Sequence, residues 1–307
     1  MVKIQHLLRN RNAILILSLA TGLIWGKGAQ WTEQITLPAL AIVMTLSVTG
    51  ITGNTFRSLR TLIAPIIIGI VMNYIVLGGF ILGLSKLFIH DEALWSGFVI
   101  LAAVPPAVAV IPFTIFLKGD TDFSLIGTLG AYLGALIITP LMALLFIGTS
   151  FVDPLKLITI IIELILAPIL FSRILIMTGI GRFIEPIKGD ITNWSFFLVS
   201  YTIVGLNQQV FLTQPLSLLP VAMVSVASTF VLGWIIGLFS KIAGLDQKKT
   251  ISIVLLGTLK NYGLAGGLAL SFFDTKTALP STVSVVFMII YIIWLEFKNK
   301  LTSNAHS

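Results

Sequence analysis

Residues 101–112 read LAAVPPAVAVIP, and residues 257–267 read GTLKNYGLAGG. Each stretch interrupts a segment that is otherwise apolar. Proline removes a backbone donor and clashes with the preceding turn, so Pro105 and Pro106 are expected to break the first segment. Glycine and polar residues where apolar side chains are expected predict a break in the second. Backbone that lacks helical hydrogen bonds is tolerated at membrane depth only where it is buried in protein or lines a cavity.

The apolar segments around these breaks are typical of an integral membrane protein. Hydrophobic residues make up 57% of the 307 residues and charged residues 10%, whereas an average soluble domain has about 45–50% and about 25%. The chain has no cysteine, and its three histidines, His6, His90 and His306, do not cluster. We therefore expect no cofactor, no metal site and no catalytic residue, and an enzyme is the least favoured class.

Ten segments have the length and composition of membrane spans. A helix needs about 20 mainly apolar residues to cross a hydrocarbon core of about 30 Å. Read between the charges and the glycine and proline breaks, the segments are 12–28, 35–52, 61–86, 94–117, 121–148, 154–178, 193–212, 216–240, 249–273 and 279–297. The predicted fold is therefore all-α, with little chain left for a soluble domain.

The loop charges predict the orientation. The N-terminal region, every second loop and the C-terminal tail together carry 14 of the 19 basic residues, and the opposite side carries Lys27, Lys86, Lys156 and Lys276. The positive-inside rule then places both termini in the cytoplasm of a protein in the plasma or inner membrane. The net charge of +7 is thus an orientation signal and does not indicate a nucleic-acid partner. Lys260 belongs to neither side.

The two breaks indicate an internal repeat. If residues 1–150 hold spans 1–5 and residues 151–307 hold spans 6–10, each break lies in the fourth span of its half, and an odd number of spans makes the halves inverted. Interrupted segments at corresponding positions of inverted halves point to the central site of a transporter. The alternative is that prolines kink helices and glycines pack them. Packing is the predicted role of the glycine pairs Gly130/Gly134 and Gly233/Gly237.

Lys260 lies about 16 Å from either end of its segment at 1.5 Å per residue, too deep for its stem to reach water. A charge at this depth should face a partner or a wet cavity. Glu163, at similar depth in the sixth segment, is the candidate partner. Either the two form a structural ion pair, or Lys260 supplies charge at an anion site or exchanges a proton during transport. Two half-helix N-termini at the same place would favour an anionic substrate further.

Other polar groups at depth extend the candidate site. Ser124 and Thr128 are four residues apart and share a helix face, where they either bond back to their own helix or present hydroxyls to the site. The predicted substrate or ion site comprises Asn73, Pro105, Pro106, Thr114, Ser124, Thr128, Thr258, Lys260, Asn261 and Gly263.

The segments around the two breaks resemble the bile acid:sodium symporter family. The residues that carry the resemblance are Pro105-Pro106, Thr114, Leu117-Lys118-Gly119-Asp120, Ser124, Thr128 and Asn261-Tyr262-Gly263-Leu264-Ala265. The resemblance implies ten spans in inverted five-helix repeats, with spans 3–5 and 8–10 forming a core domain and spans 1, 2, 6 and 7 a panel. It also implies two sodium ions where the broken spans cross.

The sequence departs from this family at the sodium ligands that the resemblance implies. Val110 and Ile111 stand where the family has Ser-Asn, and Leu256 and Lys260 stand where it has Glu and Gln. Asn73 replaces a glutamine, and only Ser124 and Thr128 match. An ammonium cannot ligate a cation and repels it, so sodium is not expected at this position. We expect the charge of Lys260 to take the place of the coupling sodium.

The leading prediction is a secondary transporter of a small organic anion, independent of sodium, with protons as a further coupling candidate. Apart from this substrate and the lipid bilayer, no partner is expected, and no partner protein is required. A sodium-coupled symporter of organic anions or bile acids stays open, as does a sensor or scaffold that does not transport. A channel would need a continuous polar pore, whereas the polar residues here gather near mid-depth.

Overall fold

The computed structural model describes residues 10–49, 59–107, 109–148, 154–213 and 215–304. These residues form helices and contain no strand. The predicted repeat boundary at 150/151 and the basic residues Lys3, Arg9 and Arg57 lie outside the described residues. In chain order the α-helices are Arg11–Ile24, Ala29–Thr32, Thr36–Val48, Leu59–Ile70, Gly79–Phe88, Glu92–Ala103, Val110–Phe116, Thr121–Phe146, Pro154–Met177, Gly181–Ile184, Lys188–Leu206, Gln208–Thr213, Leu219–Val226, Leu232–Ile242, Gln247–Leu256, Tyr262–Phe272 and Leu279–Asn304.

Two π-helical segments join some of these helices into longer rods. Val71–Gly78 connects Leu59–Ile70 to Gly79–Phe88, and Ala227–Val231 connects Leu219–Val226 to Leu232–Ile242. In the sequence these rods are the third and eighth predicted spans. Extra residues in a helical turn often occur at functional sites, and Asn73 lies in the first of the two π segments.

Asparagine or aspartate begins several of the helices. A side-chain oxygen at the N-cap accepts a backbone N–H that has no partner within the helix. The residues that do so are Asn10, Asp91, Asp120, Asp246 and Asn261. The helix that precedes each break and the helix that follows the second break therefore start at a local capping residue.

Among the described residues, five helical stretches are long and apolar enough to cross a membrane, by length and composition. They are Gly26–Val48, Leu62–Phe88, Thr121–Phe146, Pro215–Ile242 and Leu279–Lys298. A sixth is added if Leu166–Met177 and Gly181–Leu206, bent by 99°, count as one span. The broken segments divide into helices too short for this criterion, so the predicted number of ten spans stays a prediction. The class of the fold, an all-α multi-pass membrane protein, is confirmed in this coarser form.

The helices form two groups by packing. In one group, Arg11–Ile24 and Thr36–Val48 pack on Lys188–Leu206, and Pro154–Met177 packs on Thr36–Val48. In the other group, Leu59–Ile70 packs along Thr121–Phe146. In the same group, Leu219–Val226 packs on Leu279–Asn304, and Glu92–Ala103 packs on Tyr262–Phe272.

Close helix contacts in the second group depend on glycine. A Cβ atom on Gly69 would collide with the backbone of Gly127 on the neighbouring helix. Gly130 approaches Ile66 closely, whereas a Cβ on Gly134 would make ordinary contacts from 3.4 Å. Gly233 lies directly against Tyr291, but a Cβ on Gly237 would meet its nearest atom only at 3.9 Å. One glycine of each predicted packing pair therefore makes the close contact.

We expect Gly69→Ala to destabilise the protein by about 1–3 kcal/mol, the usual cost of overpacking. The added methyl would push Leu59–Ile70 away from Thr121–Phe146. Gly79→Ala is the matched control, because it lies in the same rod and a Cβ there meets nothing within 4 Å. Thermal unfolding in detergent measures both variants, and equal midpoints for Gly69→Ala and Gly79→Ala would contradict this account of the packing.

Candidate functional site

Both predicted breaks are present, and they lie against each other. The first helix ends at Ala103 and resumes at Val110, and the second ends at Leu256 and resumes at Tyr262. Two backbone hydrogen bonds join the breaks: the Ala107 N–H donates to the Leu259 carbonyl at 3.0 Å, and the Asn261 N–H donates to the Pro105 carbonyl at 3.0 Å. Together they form an antiparallel bridge between Pro106 and Lys260. We call residues 104–107 and 259–261 the crossing.

The Lys260 ammonium supplies a donor that the prolines remove. In a continuous helix the N–H of residue 106 would donate to the carbonyl of Ala102, but proline has no N–H. Lys260 Nζ donates to this carbonyl at 2.6 Å and to the Val104 carbonyl at 2.9 Å. The negative end of helix Glu92–Ala103 thus meets a positive charge, a favourable arrangement at a helix C-terminus. The proline pair and the lysine, 154 residues apart, form one structural unit.

Lys260 is completely buried, and it is the one buried charged side chain among the side chains that the structure describes. Its Nζ lies 4.9 Å from the centroid of the Tyr74 ring, within the range of a cation–π contact. The Tyr74 hydroxyl is in turn fixed by donating to the Ala131 carbonyl at 2.8 Å. The ammonium is therefore surrounded by carbonyl oxygens and a ring face, as a bound cation would be.

Lys260 and Glu163, the candidate ion pair of the sequence, are not paired in this structure. Glu163 is exposed on helix Pro154–Met177, while the hydrogen bonds of Lys260 go to Ala102 and Val104. The positions of both residues in the sequence place them at similar depth along their segments. They do not say toward which side of its helix each side chain points.

Further side chains fix the ends of the crossing. Asn73 Nδ2 donates to the Val104 carbonyl at 3.2 Å, sharing this acceptor with Lys260. Asn261 accepts the Leu264 N–H at 3.0 Å and donates to the Tyr132 hydroxyl at 3.0 Å. Asn261 therefore caps its helix and ties it to Thr121–Phe146, which explains an asparagine at this position.

The predicted hydroxyls divide into two kinds. The Thr114 hydroxyl lies 2.7 Å from the Val110 carbonyl and 2.8 Å from the Ser124 hydroxyl. Thr258 donates to the Val254 carbonyl of its own helix at 2.6 Å. Thr128 is different, because its buried Oγ1 has no hydrogen-bond partner among the described residues.

A second buried oxygen, Asn73 Oδ1, also has no partner among the described residues. Burying an oxygen without a partner is costly, so such atoms indicate a water, an ion or a substrate group. Gly263, by contrast, packs against Leu40 and Val199, where a Cβ would meet the Val199 side chain at 2.8 Å. Gly263 therefore lies at a close contact between helices.

A cavity of about 620 Å³ opens beside the crossing, between the two groups of helices. Ala109, Ile111 and Phe113, directly after the first break, line one wall. Arg11 and Glu296 are among the other lining residues. We call this the central cavity.

Arg11 lies between the two groups of helices at this cavity. Its guanidinium carbon is 4.4 Å from the ring centroid of Phe113 and 4.7 Å from that of Phe116. Its Nε has no hydrogen-bond partner among the described atoms. The neighbouring Asn12 donates to Glu296 at 2.8 Å. Arg11 was not predicted as a site residue. A basic residue at the start of a span also fits the positive-inside rule, which explains it without a binding role.

Comparisons with known proteins identify the family. The family model described as the Sodium Bile acid symporter family matches residues 37–212, more than half of the chain. Two curated relatives, from Oryza sativa subsp. japonica and Arabidopsis thaliana, are each described as "Probable sodium/metabolite cotransporter BASS3, chloroplastic". They are 26% identical over 234 and 232 residues, which is 74% of this chain and 54% and 53% of theirs.

The chain thus spans about half the length of the curated relatives it matches. The resemblance that the broken segments indicated is confirmed by the family model, whose matched residues include the first break. The family consists of transporters and not enzymes. This chain belongs to the sodium bile acid symporter family.

Proposed function

We propose that the protein is a secondary transporter of a small organic anion that works by alternating access without sodium, with Lys260 in the place of the coupling cation. The observation that carries the proposal is the position of the ammonium, inside the crossing and bound by the carbonyls of Ala102 and Val104 at 2.6 and 2.9 Å. A cation that is covalently part of the chain cannot be exchanged, so it cannot carry the energy of a sodium gradient.

The side chains at three further positions where the resemblance implies sodium ligands support this proposal. Val110, Ile111 and Leu256 are buried and apolar, and their side chains offer no oxygen to a metal ion. Sodium is a hard cation, and hard cations require several oxygen ligands. The fixed positive charge at the crossing instead favours a negatively charged substrate.

The central cavity is the proposed substrate path. It lies between the helix groups that we propose as panel and core, from spans 1, 2, 6 and 7 and from spans 3–5 and 8–10. Arg11, stacked on Phe113 and Phe116, lines this cavity, and its guanidinium is a suitable donor for a carboxylate or sulfonate. Movement of one group against the other would change the side to which this cavity opens.

A sodium-coupled symporter is the second candidate, and two observations favour it. Asn73 Oδ1 and Thr128 Oγ1 are buried oxygens without partners among the described residues, and the curated relatives are described as sodium/metabolite cotransporters. In that case sodium would bind beside Lys260 and not at the position of its ammonium.

The membrane and orientation are part of the same proposal. We expect the protein in a plasma or inner membrane with both termini in the cytoplasm, although the two relatives are described as chloroplastic. A reporter fused after Lys276 should then lie outside, and a cytoplasmic reporter would overturn this orientation.

A ligand screen tests the transport proposal. Thermal shifts of the purified protein with carboxylates, sulfonates and sterol conjugates should identify a stabilising anion, and that anion should enter proteoliposomes with saturable kinetics. Arg11→Gln should raise the KM for its uptake about tenfold, because a hydrogen bond to a charged group contributes about 1.5–3 kcal/mol.

Lys27→Gln is the matched control, since it removes the same charge from an exposed residue at the other end of helix Arg11–Ile24. A KM that rises equally in both variants would remove Arg11 from the substrate path. No stabilising anion and no uptake would leave the scaffold or sensor, and single-channel currents would indicate a channel.

A further inference from the structure

A second cavity, of about 480 Å³, lies between helices Leu232–Ile242, Gln247–Leu256 and Leu279–Asn304. The first and last of these helices belong to candidate membrane spans. We call this cavity the lysine groove. It is separate from the central cavity, and the proposed transport function does not use it.

Glycine forms the floor of the lysine groove. Gly233 lies against Tyr291. Gly237, one turn later, leaves space for a ligand, because a Cβ atom there would meet its nearest neighbour, Val254, only at 3.9 Å. The adjoining walls are leucine, isoleucine and valine side chains. The groove can therefore accept a slender apolar chain that lies along the helices.

The mouth of the groove is basic and aromatic. Lys241 and Lys298 both line it, and none of its lining residues is acidic. Trp294 lies beneath Lys298, whose Nζ is 4.9 Å from the ring centroid, and Trp234 is 62% exposed. Tryptophan and lysine at the same level are typical of the interface between hydrocarbon and lipid headgroups.

A buried hydroxyl beside the groove lacks a hydrogen-bond partner. Thr250 lines the groove, while its Oγ1 is inaccessible to solvent and has no hydrogen-bond partner among the described residues. Asp246, the acid nearest to it in the sequence, is engaged as the N-cap that accepts the Lys249 N–H at 2.9 Å. The groove thus offers two positive charges at one end and an apolar trough at the other.

We propose that the lysine groove binds one anionic phospholipid, with its phosphate held by Lys241 and Lys298 and an acyl chain in the trough above Gly237. Basic pockets between membrane helices bind anionic headgroups. The trough selects a lipid over a free phosphate, since a soluble anion would leave its apolar walls uncovered.

Native mass spectrometry of the full chain in detergent tests this proposal. Phosphatidylglycerol added in a titration should give a one-to-one adduct, and phosphatidylcholine with the same acyl chains should not. Lys241→Gln/Lys298→Gln should weaken the adduct roughly twentyfold to thirtyfold, because each basic residue near an anionic lipid contributes about fivefold. Gly237→Leu should abolish the adduct with both lysines still present.

Lys248→Gln/Lys249→Gln is the matched control, because these two exposed lysines lie in the first turn of helix Gln247–Leu256, beside the groove, and do not line it. This variant should keep the adduct. The proposal is overturned if phosphatidylcholine binds equally, if the control loses as much binding as the groove variant, or if glycerol phosphate displaces the lipid at equal concentration. A dimer in place of a lipid adduct would assign the groove to a second copy of the chain and would also overturn it.

Discussion

Replacing Lys260 with methionine is expected to abolish anion uptake, to below about 1% of the activity of the unchanged protein, while the protein still inserts into the membrane. The variant keeps an unbranched side chain, shorter by the terminal nitrogen, and removes the charge that we assign to the coupling position. The buried Ala102 carbonyl loses the Lys260 donor at 2.6 Å, whereas the Val104 carbonyl, which also loses Lys260, keeps its hydrogen bond from Asn73 at 3.2 Å. A buried group left without a partner costs about 1–3 kcal/mol, so a lower unfolding temperature should accompany the loss of uptake.

A second substitution separates the structural role of Lys260 from its role in transport. Pro106→Ala restores the N–H that a helix would direct to the Ala102 carbonyl. The double variant Lys260→Met/Pro106→Ala should therefore recover part of the thermal stability and none of the uptake. Lys276→Gln is the control for charge, because Lys276 is half exposed and forms an ion pair with Asp91. Uptake that returns together with stability in the double variant would reduce Lys260 to a helix cap.

Anion uptake into proteoliposomes is expected to change less than about twofold when the sodium gradient is removed. Two unit charges 4 Å apart interact by about 4 kcal/mol at an effective dielectric constant of 20, so the ammonium would weaken sodium binding beside it about a thousandfold. Uptake with sodium, with potassium and without either gradient measures this. Strict dependence on sodium would support the second candidate function and exclude the proposed role of Lys260.

The converse experiment restores the residues of the resembling family. Leu256→Glu/Lys260→Gln places a carboxylate and an amide at the two positions where leucine and lysine stand. The Leu256 side chain lies against Gly127, next in sequence to Thr128 and its unpartnered oxygen. Sodium should then stabilise the variant against thermal unfolding, and potassium should not. Leu256→Glu alone is the control, since the Lys260 ammonium that the double variant removes is still present and should oppose sodium binding.

Local chemistry made part of the site predictable. Proline lacks an N–H wherever it lies, so Pro105 and Pro106 predicted the first break without knowledge of its surroundings. The run of glycine and polar residues that contains Lys260 and Asn261 predicted the second break, because such residues disfavour a continuous helix where apolar side chains are expected. The family prediction followed from the same two segments and is confirmed. Each of these inferences depends on neighbours in sequence.

The partners of these residues were not predictable in the same way. Glu163 has the right depth but an exposed side chain, because rotation about a helix axis is determined by packing against helices distant in sequence. The unpartnered oxygens of Asn73 and Thr128 appear only once the surrounding atoms are placed. The same is true of the central cavity, since Arg11 meets Phe113 only across two helix groups.

By itself the sequence determined a multi-pass helical membrane protein, its two interrupted segments and its family, since apolar length and proline chemistry act along the chain. Tertiary structure alone decided which backbone groups of the two breaks bond to each other and that the Lys260 ammonium replaces the donor missing at Pro106. The physical reason is that a buried charge must find its compensation among whichever groups folding brings within about 3 Å. For Lys260 those groups are carbonyl oxygens of the other break.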